Sequence, residues 1–478
     1  MQLNPKSYQA YRLLHDGAAA LARAEQQGIR VDMEQLQRNQ RMLKRKSLRA
    51  EIDFQNTKFY KQWQEIFGDK MNLNSGTQLG HILYTVRGYE PPKLTDGGKG
   101  STDKEALKIL NIPELNLLTD RGRYKKILDY LDGFERETVD GFMHPNFNLN
   151  SVATFRSSMN SPNMQNVPIR DKEAMEATRS VLYPRKGHQL LEVDYKGIEV
   201  AANACLNKDK NLVKYVSDPN SDMHGDMAKQ IFFIDKIDKS IPAHKLLRQA
   251  AKNSFVFPQF YGDYYVDCAE GLADWTELPQ TKWKPGQGIE MGDFQIEYIS
   301  DHMIANGIKE FGKVDKSGRE WKVTGFLKHI KEIEEDFWTN RFPEYSQWKD
   351  DFWSEYQTKG YFDLVTGFRC SGVMQRNQVI NAPGQGAAFH CLLWSLTQAT
   401  KKLYEGKFDT KIINQVHDSI LFDVHPSELE EVAALAHRIT TVDLPKAWDW
   451  IIVPLEIEMD LCGVDMPWST KEKYEFMV

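Results

Sequence analysis

Apolar positions in residues 1–28 recur at helical spacing, with Leu13, Leu14, Ala18 and Leu21 on one side. The pattern predicts an amphipathic N-terminal helix. Residues 33–68 are also strongly helical, and their polar positions include the run Arg41, Lys44, Arg45, Lys46 and Arg49. Taken alone, that run reads as a solvated helix face. Ser75 with Gln78, and Thr102 with Glu105, have the spacing of capping boxes and start two further helices. Between them, Pro91-Pro92 and the Gly-rich stretch 96–100 predict a mobile loop. Arg121, Arg123, Lys125 and Lys126 form a second basic group, either solvated or bound.

The period then changes. Leu190, Leu191 and Val193 read as a buried strand that ends on Asp194. Gly197 breaks the pattern, and Ile198, Val200, Ala201, Ala204 and Cys205 resume at helical spacing. An acid ending a strand is commonly a helix cap. A buried carboxylate needs a partner, however, and a cation is one such partner. In the stretch Lys411–Val424, apolar runs flank His417-Asp418-Ser419, which predicts a tight hairpin with Asp418 at its turn. Two carboxylates brought together on rigid strands are what a pair of Mg²⁺ ions requires. Arg248 and Lys252 are four residues apart and share a helix face, with no acid expected on that face. Such a pair is either a solvated face or a grip for a polyphosphate.

Composition narrows the class less than the motifs do. The chain has 478 residues, 27% charged and 41% hydrophobic, enough for two to four soluble domains. A net charge of −6 does not advertise nucleic-acid binding, although a local basic groove can coexist with an acidic whole. Cys205, Cys268, Cys370, Cys391 and Cys462 show no C-x-x-C spacing, which points to a reducing cytoplasm and no zinc site. Neither a membrane-spanning run nor a signal-peptide pattern is present.

In this order the three stretches resemble motifs A, B and C of family A DNA polymerases, of the bacterial polymerase I type. The DYSQIE-type motif is similar to Asp194-Tyr195-Lys196-Gly197-Ile198-Glu199, and the RxxxK…YG helix to Arg248, Lys252, Tyr261 and Gly262. The VHDE motif corresponds to Val416-His417-Asp418-Ser419. Further phrases extend the resemblance over most of the chain. These are EQQGIRVD at 25–32, the SxxQL phrase at Ser75, TFRSSMNSPNMQNVP at 154–168, Asp222-Met223-His224, Arg341-Phe342-Pro343, NAPGQG at 381–386 and Gly463…Trp468.

The resemblance implies an α+β right-hand fold with an antiparallel-sheet palm, helical fingers and a helical thumb. It divides the chain into an N-terminal segment packing on the palm (1–28), a thumb (29–140), a first palm part (141–215), fingers (216–364) and a second palm part (365–478). The match lapses over about 263–324, which reads as an insertion, an aromatic loop with scattered acids such as Asp263 and Asp267. The implied activity is extension of a primer 3′-hydroxyl with deoxynucleoside triphosphates on a DNA template. Asp194 and Asp418, with the Tyr195 carbonyl, would hold two Mg²⁺ ions, or Mn²⁺ in their place. Arg248 and Lys252 would grip the triphosphate, and Lys252 would protonate the leaving pyrophosphate. Tyr261, His224 and an aromatic of the fingers helix would line the nucleotide site. Glu199 would exclude a 2′-hydroxyl. Arg156, Gln165, Asn166, Gln385 and His417 would touch the primer–template, and the basic runs at 41–49 would meet its phosphates.

Three departures stand out. The acid after His-Asp is Ser419, which removes a third carboxylate. Lys252 and Tyr261 are one residue further apart than in the family, so the stacking aromatic is Phe257 counted from one end and Val256 from the other. The extra residue beside Pro258 predicts a π-bulge or kink, with Phe257 favoured. Phe155 replaces a family glycine. The rival readings are a single-subunit phage-type RNA polymerase, against which Glu199 argues, and a catalytically silent DNA-binding subunit, against which Asp194, Asp418, Arg248 and Lys252 argue. Because the thumb-like phrase begins near residue 29, the sequence predicts no proofreading nuclease. A separate exonuclease or replisome subunit would supply it, in viral DNA replication in an infected bacterial cytoplasm.

Overall fold

The structure is a computed structural model that describes residues 5–476 apart from Lys93, Asp96, Arg170, Phe294 and 316–321. At its centre is an antiparallel sheet whose strands lie in the order Lys411–Val416, Ser419–Val424, Gln189–Tyr195, Ile457–Leu461, Glu472–Lys473. The strand Gln189–Tyr195 is central because Leu190, Leu191 and Val193 are all buried, which requires cover on both faces. The register sets Ser419 opposite Asp194 on one side and Glu458 opposite Asp194 on the other. A two-residue turn, His417-Asp418, joins the hairpin strands, and His417 takes a φ of 52° as such a turn demands.

One face of the sheet carries the long helix Arg376–Glu405, and the buried Tyr195 hydroxyl meets Ser395 Oγ at 2.7 Å. The N-terminal helix Pro5–Gln27 packs on this helix and on the strand Lys411–Val416. Leu13, Ala20, Leu21 and Ala24 are buried, but Ala18 is exposed, contrary to the sequence reading. Gly17 takes the inner place instead, where a Cβ would come within 2.7 Å of Leu393.

The helices Met33–Gln55 and Pro113–Glu137 pack against each other, beyond a small sheet that pairs Ile29–Val31 with Phe142-Met143 and Leu182-Tyr183. Phe54, Phe59, Trp63, Leu79, Ile82 and Leu115 form a core of their own at the far end of this pair. Ser75 caps its helix by accepting the Gln78 N–H at 3.2 Å. The Gln78 side chain does not complete a capping box, because it accepts from Trp63 Nε1 at 3.1 Å and the Asn72 N–H at 2.8 Å. The next helix, Lys104–Leu110, is capped by Asp103, which accepts the Ala106 N–H at 2.8 Å, and not by Thr102. The Glu105 side chain and Asp96 lie outside the described residues. The loop between is closed by a bridge between Leu94 and Gly100.

The second basic group divides. Arg121 is buried, 2.6 Å from Glu51 and 3.0 Å from Asn74. Arg123 clamps Asp171 and meets Glu173 at 2.7 Å. Both are internal fasteners, whereas Lys125 and Lys126 are exposed. In the first run, Arg41, Lys44 and Arg45 are exposed, and Lys46 pairs with Glu173 at 2.5 Å.

The stretch 263–324 is not an aromatic loop. It contains the helices Tyr265–Trp275 and Ile299–Ala305 and the hairpin Glu290–Asp293/Ile296–Tyr298. Cys268, Leu272, Trp283, Met291, Ile299 and Met303 join the main hydrophobic core. Asp267 is in the first turn of a helix, where the helix dipole favours an acid.

Candidate active site

The end of the central sheet opens into a cleft of about 790 Å³. Asp194, Asp418, Glu199, Arg248, Lys252 and Phe257 line it, and His224 and Tyr261 complete the wall. Every catalytic, metal and nucleotide residue read from the sequence therefore reaches this one space. A second cavity of about 730 Å³ adjoins it, lined by Gln165, Asn377 and Asn381 together with Arg156, Gln385 and His417, which line both. Asn166 is exposed on the turn Met164–Asn166 and lines neither.

The two aspartates meet because their strands are neighbours, and the Asp418 carbonyl accepts the Tyr195 N–H at 3.2 Å. Burial, and then the charge of Asp418, push the Asp194 carboxyl up to about 8. Burial also raises Asp418. Two carboxylates held this close out of water resist joint ionisation, so a cation between them removes the conflict. Among the described residues no group of three His, Cys, Asp or Glu side chains gathers to hold a metal. Ser419 does not replace the missing acid, since its buried hydroxyl donates to the Val416 carbonyl at 2.9 Å, within the hairpin turn. The Tyr195 ring is buried away from the cleft. The side chain is therefore no ligand, which leaves only the backbone oxygen of Tyr195 as a candidate.

Gly197, with a φ of 65°, turns the chain from strand into the helix Ile198–Asn207. That turn aims Glu199 into the cleft, where the Tyr261 hydroxyl donates to one carboxylate oxygen and Arg156 Nη1 lies 3.2 Å from the other. Phe155 keeps a left-handed φ of 57° although it replaces a glycine, and its ring lies 4.7 Å from that of Phe368.

The helix Pro242–Ala251 continues through a π-turn, Lys252–Val256, into Phe257–Tyr261, and ends at Gly262 with a φ of 89°. The extra residue is absorbed in that π-turn, as its spacing predicts. The turn buries Val256 completely and leaves Phe257 half-buried in the cleft wall, so Phe257 is the ring the site presents. Its ring lies 5.2 Å from Lys252 Nζ and 5.7 Å from the His224 ring.

One expectation fails here. Arg248 does have an acid, because both oxygens of Asp222 face its Nε, at 3.0 and 2.8 Å, and its Nη2 lies 2.8 Å away. Asp222 caps the neighbouring helix Met223–Phe232 and so is invisible to a test of one helix face. Burial opposes ionisation of Asp222, but Arg248 and the Gly225 N–H hold its carboxyl well below the ordinary range. Burial, then Arg248 and Lys252, push His224 down to about 4, and its buried Nδ1 has no hydrogen-bond partner. His224 is a neutral imidazole facing the cleft.

The sequence reading missed Asn377, and it noted Asn381 only as part of the NAPGQG phrase, with no role of its own. Asn377 Nδ2 donates to the Gly262 carbonyl at 3.1 Å, and Asn381 Nδ2 donates to that of Tyr261. They tie the end of one helix to the long helix. Their spacing from Gln385, four and eight residues, was the available signal. Gln165 Nε2 is held by Ser157 Oγ at 3.0 Å and Gln415 Oε1 at 3.2 Å.

The architecture matches the POL domain of Pol1 from M. smegmatis, solved in complex with DNA primer-template and dNTP. The TM-score is 0.71 at 22% identity, over 96% of this chain and 70% of that one. The fold is the right-hand polymerase fold, a mixed helical and antiparallel structure. The description "DNA polymerase family A" matches residues 42–282 and 328–464, and the chain belongs to that family. The match continues through residue 282, so the unmatched part is shorter than the 263–324 read from sequence. DNA polymerase I of Caldicellulosiruptor bescii is 26% identical over 426 residues, spanning 87% of this chain and 42% of that protein. DNA polymerase I of Bacillus subtilis is 23% identical over 447 residues, spanning 91% of this chain and 44% of that protein. The chain thus covers less than half the length of these relatives.

Proposed function

We propose that this chain is a template-directed DNA polymerase that extends a primer 3′-hydroxyl with deoxynucleoside triphosphates. The observation that carries the reading is the single cleft in which the buried pair Asp194 and Asp418 faces Arg248 and Lys252. Family membership supports it, as does the likeness to a fold solved with primer-template and dNTP.

The donor set suits hard divalent cations, so Asp194, Asp418 and the Tyr195 carbonyl are the residues that would hold two Mg²⁺ ions, or Mn²⁺. Bound there, the ions would acidify the primer hydroxyl and neutralise charge on the triphosphate and the departing pyrophosphate. The chain's own groups do the rest. Asp222 occupies one edge of the Arg248 guanidinium, and its other edge serves the β- and γ-phosphates. Lys252 supplies a second positive charge and a proton for the leaving group. Phe257 supports the base, with neutral His224 beside it and Tyr261 closing the end. Glu199, held from two sides, is a fixed wall against C2′ that excludes a 2′-hydroxyl. Arg156, Gln165, Gln385 and His417 face the minor-groove edge of the nascent duplex, whose acceptors are nearly alike in all correct pairs, and Asn166 is an outer contact. We retain residues 29–140 as thumb, 141–215 and 365–478 as palm and 216–364 as fingers.

Primer extension on primed DNA with Mg²⁺, comparing deoxy- and ribonucleotides, tests this reading. Binding without extension would make the chain a silent DNA-binding protein. A preference for ribonucleotides would favour the RNA polymerase rival. The proposal includes the absence of a 3′→5′ exonuclease within these residues. Degradation of mismatched primers that survives loss of Asp194 and Asp418 would overturn that part.

A further inference from the structure

Val373 is the most exposed of the large apolar side chains among the described residues, with a relative exposure of 107%. A lone exposed valine is ordinary on a protein surface. This one is held in place. It sits at the tip of the connection between the hairpin strand Arg369–Ser371 and the long helix Arg376–Glu405. The hydroxyl of Tyr356, a nearly buried ring, donates to the carbonyl of Gly372 and accepts the N–H of Met374 at 3.0 Å. One hydroxyl thus clamps the residues on both sides of Val373. Gly372 takes a φ of 127°, which an ordinary residue does not adopt without strain, and so lets the chain reverse there. Burying a tyrosine to fix this turn gives the apolar side chain at its tip, exposed between Ser371 and Gln375, a defined position on the rim of the second cavity.

The position indicates what meets it. Along the fingers helix, Arg248 and Lys252 come first, then Phe257, then Tyr261 and Gly262. On the proposed function, a nucleotide bound by its phosphates at Arg248 and Lys252 extends its base past Phe257 toward Tyr261. Its pairing partner lies beyond that end. Asn377 bonds to Gly262 there, and Val373 stands four residues before Asn377. A primer ends at its reacting hydroxyl, so the nucleic acid on this side of the nascent pair is template.

We propose that Val373 packs against the sugar and base of the template nucleotide at the insertion position or its 5′ neighbour. It acts as a rigid apolar stop that seats the template. The inference rests on the proposed polymerase activity. An apolar side chain suits this task because sugar and base faces are apolar whatever the sequence, whereas a charged one would favour the phosphates.

The test replaces Val373 with the photo-crosslinker p-benzoylphenylalanine in the full chain. Because the side chain is fully exposed, the fold is unaffected. Irradiation on a primer–template, with each strand labelled separately, is expected to crosslink the template strand at or one nucleotide 5′ of the insertion site. Val373→Asp is expected to weaken primer–template binding on the order of tenfold, through lost contact and phosphate repulsion. Tyr356→Phe frees the clamp and should spread the crosslinks over several template positions. Crosslinking to the primer strand alone, or no crosslink from a protein that still extends primers, would overturn the proposal. A parent protein that neither binds nor extends a primer–template would remove the polymerase reading and this proposal with it.

Discussion

Asp194 pays for its position in protons. Its carboxyl stands at about 8 against an ordinary value of 3.8, because burial and Asp418 oppose its ionisation. The folded protein therefore keeps a proton that the unfolded chain releases across that window, and the metal-free protein loses stability from this group as pH rises through it. Asp194→Asn removes the conflict. Its melting temperature without metal should exceed that of the parent by a few degrees at the alkaline end and converge with it at the acid end. Equal pH profiles would mean that neither burial nor Asp418 raises the Asp194 carboxyl. With Mg²⁺ present, Asp194→Ala or Asp418→Ala should cut extension at least on the order of a thousandfold, with primer–template affinity nearly unchanged. Glu199→Ala should raise the ratio of ribo- to deoxynucleotide incorporation, and an unchanged ratio would place the sugar wall elsewhere. Both aspartates were legible in the sequence, because a strand that ends in an acid and a hairpin with an acid at its turn are local patterns. The partner of Arg248 was not legible, because Asp222 arrives from the cap of another helix. Ser419 leaves the third carboxylate missing, because its hydroxyl is used in a hydrogen bond within the hairpin turn.

At the scale of elements, the sequence spoke most clearly where a count was wrong. One residue too many between Lys252 and Tyr261 cannot be absorbed by a regular helix without rotating every later side chain by about 100°. The π-turn Lys252–Val256 absorbs it and restores Phe257 and Tyr261 to the cleft. On the proposed function this geometry would keep Lys252 at the triphosphate, so Lys252→Ala should lower kcat by about a hundredfold or more while the affinity for primer–template stays within about twofold. An equal loss in both would make Lys252 a backbone contact. Caps and helix faces were less legible. Thr102 and Asp103 are adjacent candidates for the same cap, and the carboxylate takes it. Gly17, not Ala18, faces Leu393, because close helix approach selects the residue without a side chain. The stretch 263–324 looked like loop because its helices are short and its aromatics dense. Tyr265, Trp283 and Phe311 are core whereas Tyr264 is exposed, a division that sequence periodicity in short elements does not reveal.

On the scale of the whole molecule, hydrophobic burial is divided. The central sheet shares the core that runs through residues 216–364, whereas Phe54, Phe59, Trp63, Leu79, Ile82, Leu83, Ile112, Leu115 and Leu118 form a separate cluster. Arg121 ties that cluster's helix to Glu51 and Asn74 from within. A core confined to one stretch of chain can open without the rest, since loss of its contacts exposes no surface of the central sheet. Trp63 is completely buried there, against Phe54 and Phe59, and its Nε1 donates to Gln78 at 3.1 Å. Trp63→Ala removes both the packing and that hydrogen bond, at a cost of about 3–5 kcal/mol. The cost should fall on this unit alone. Amide exchange is expected to accelerate across residues 54–118 and to stay slow in the strands Gln189–Tyr195 and Ser419–Val424. If 29–140 is the thumb, primer–template affinity should fall several-fold in the same variant, while the rate of a single turnover at saturating DNA stays near the parent's. Exchange that accelerates equally in the central strands would show one cooperative unit, and would defeat the division drawn from these cores.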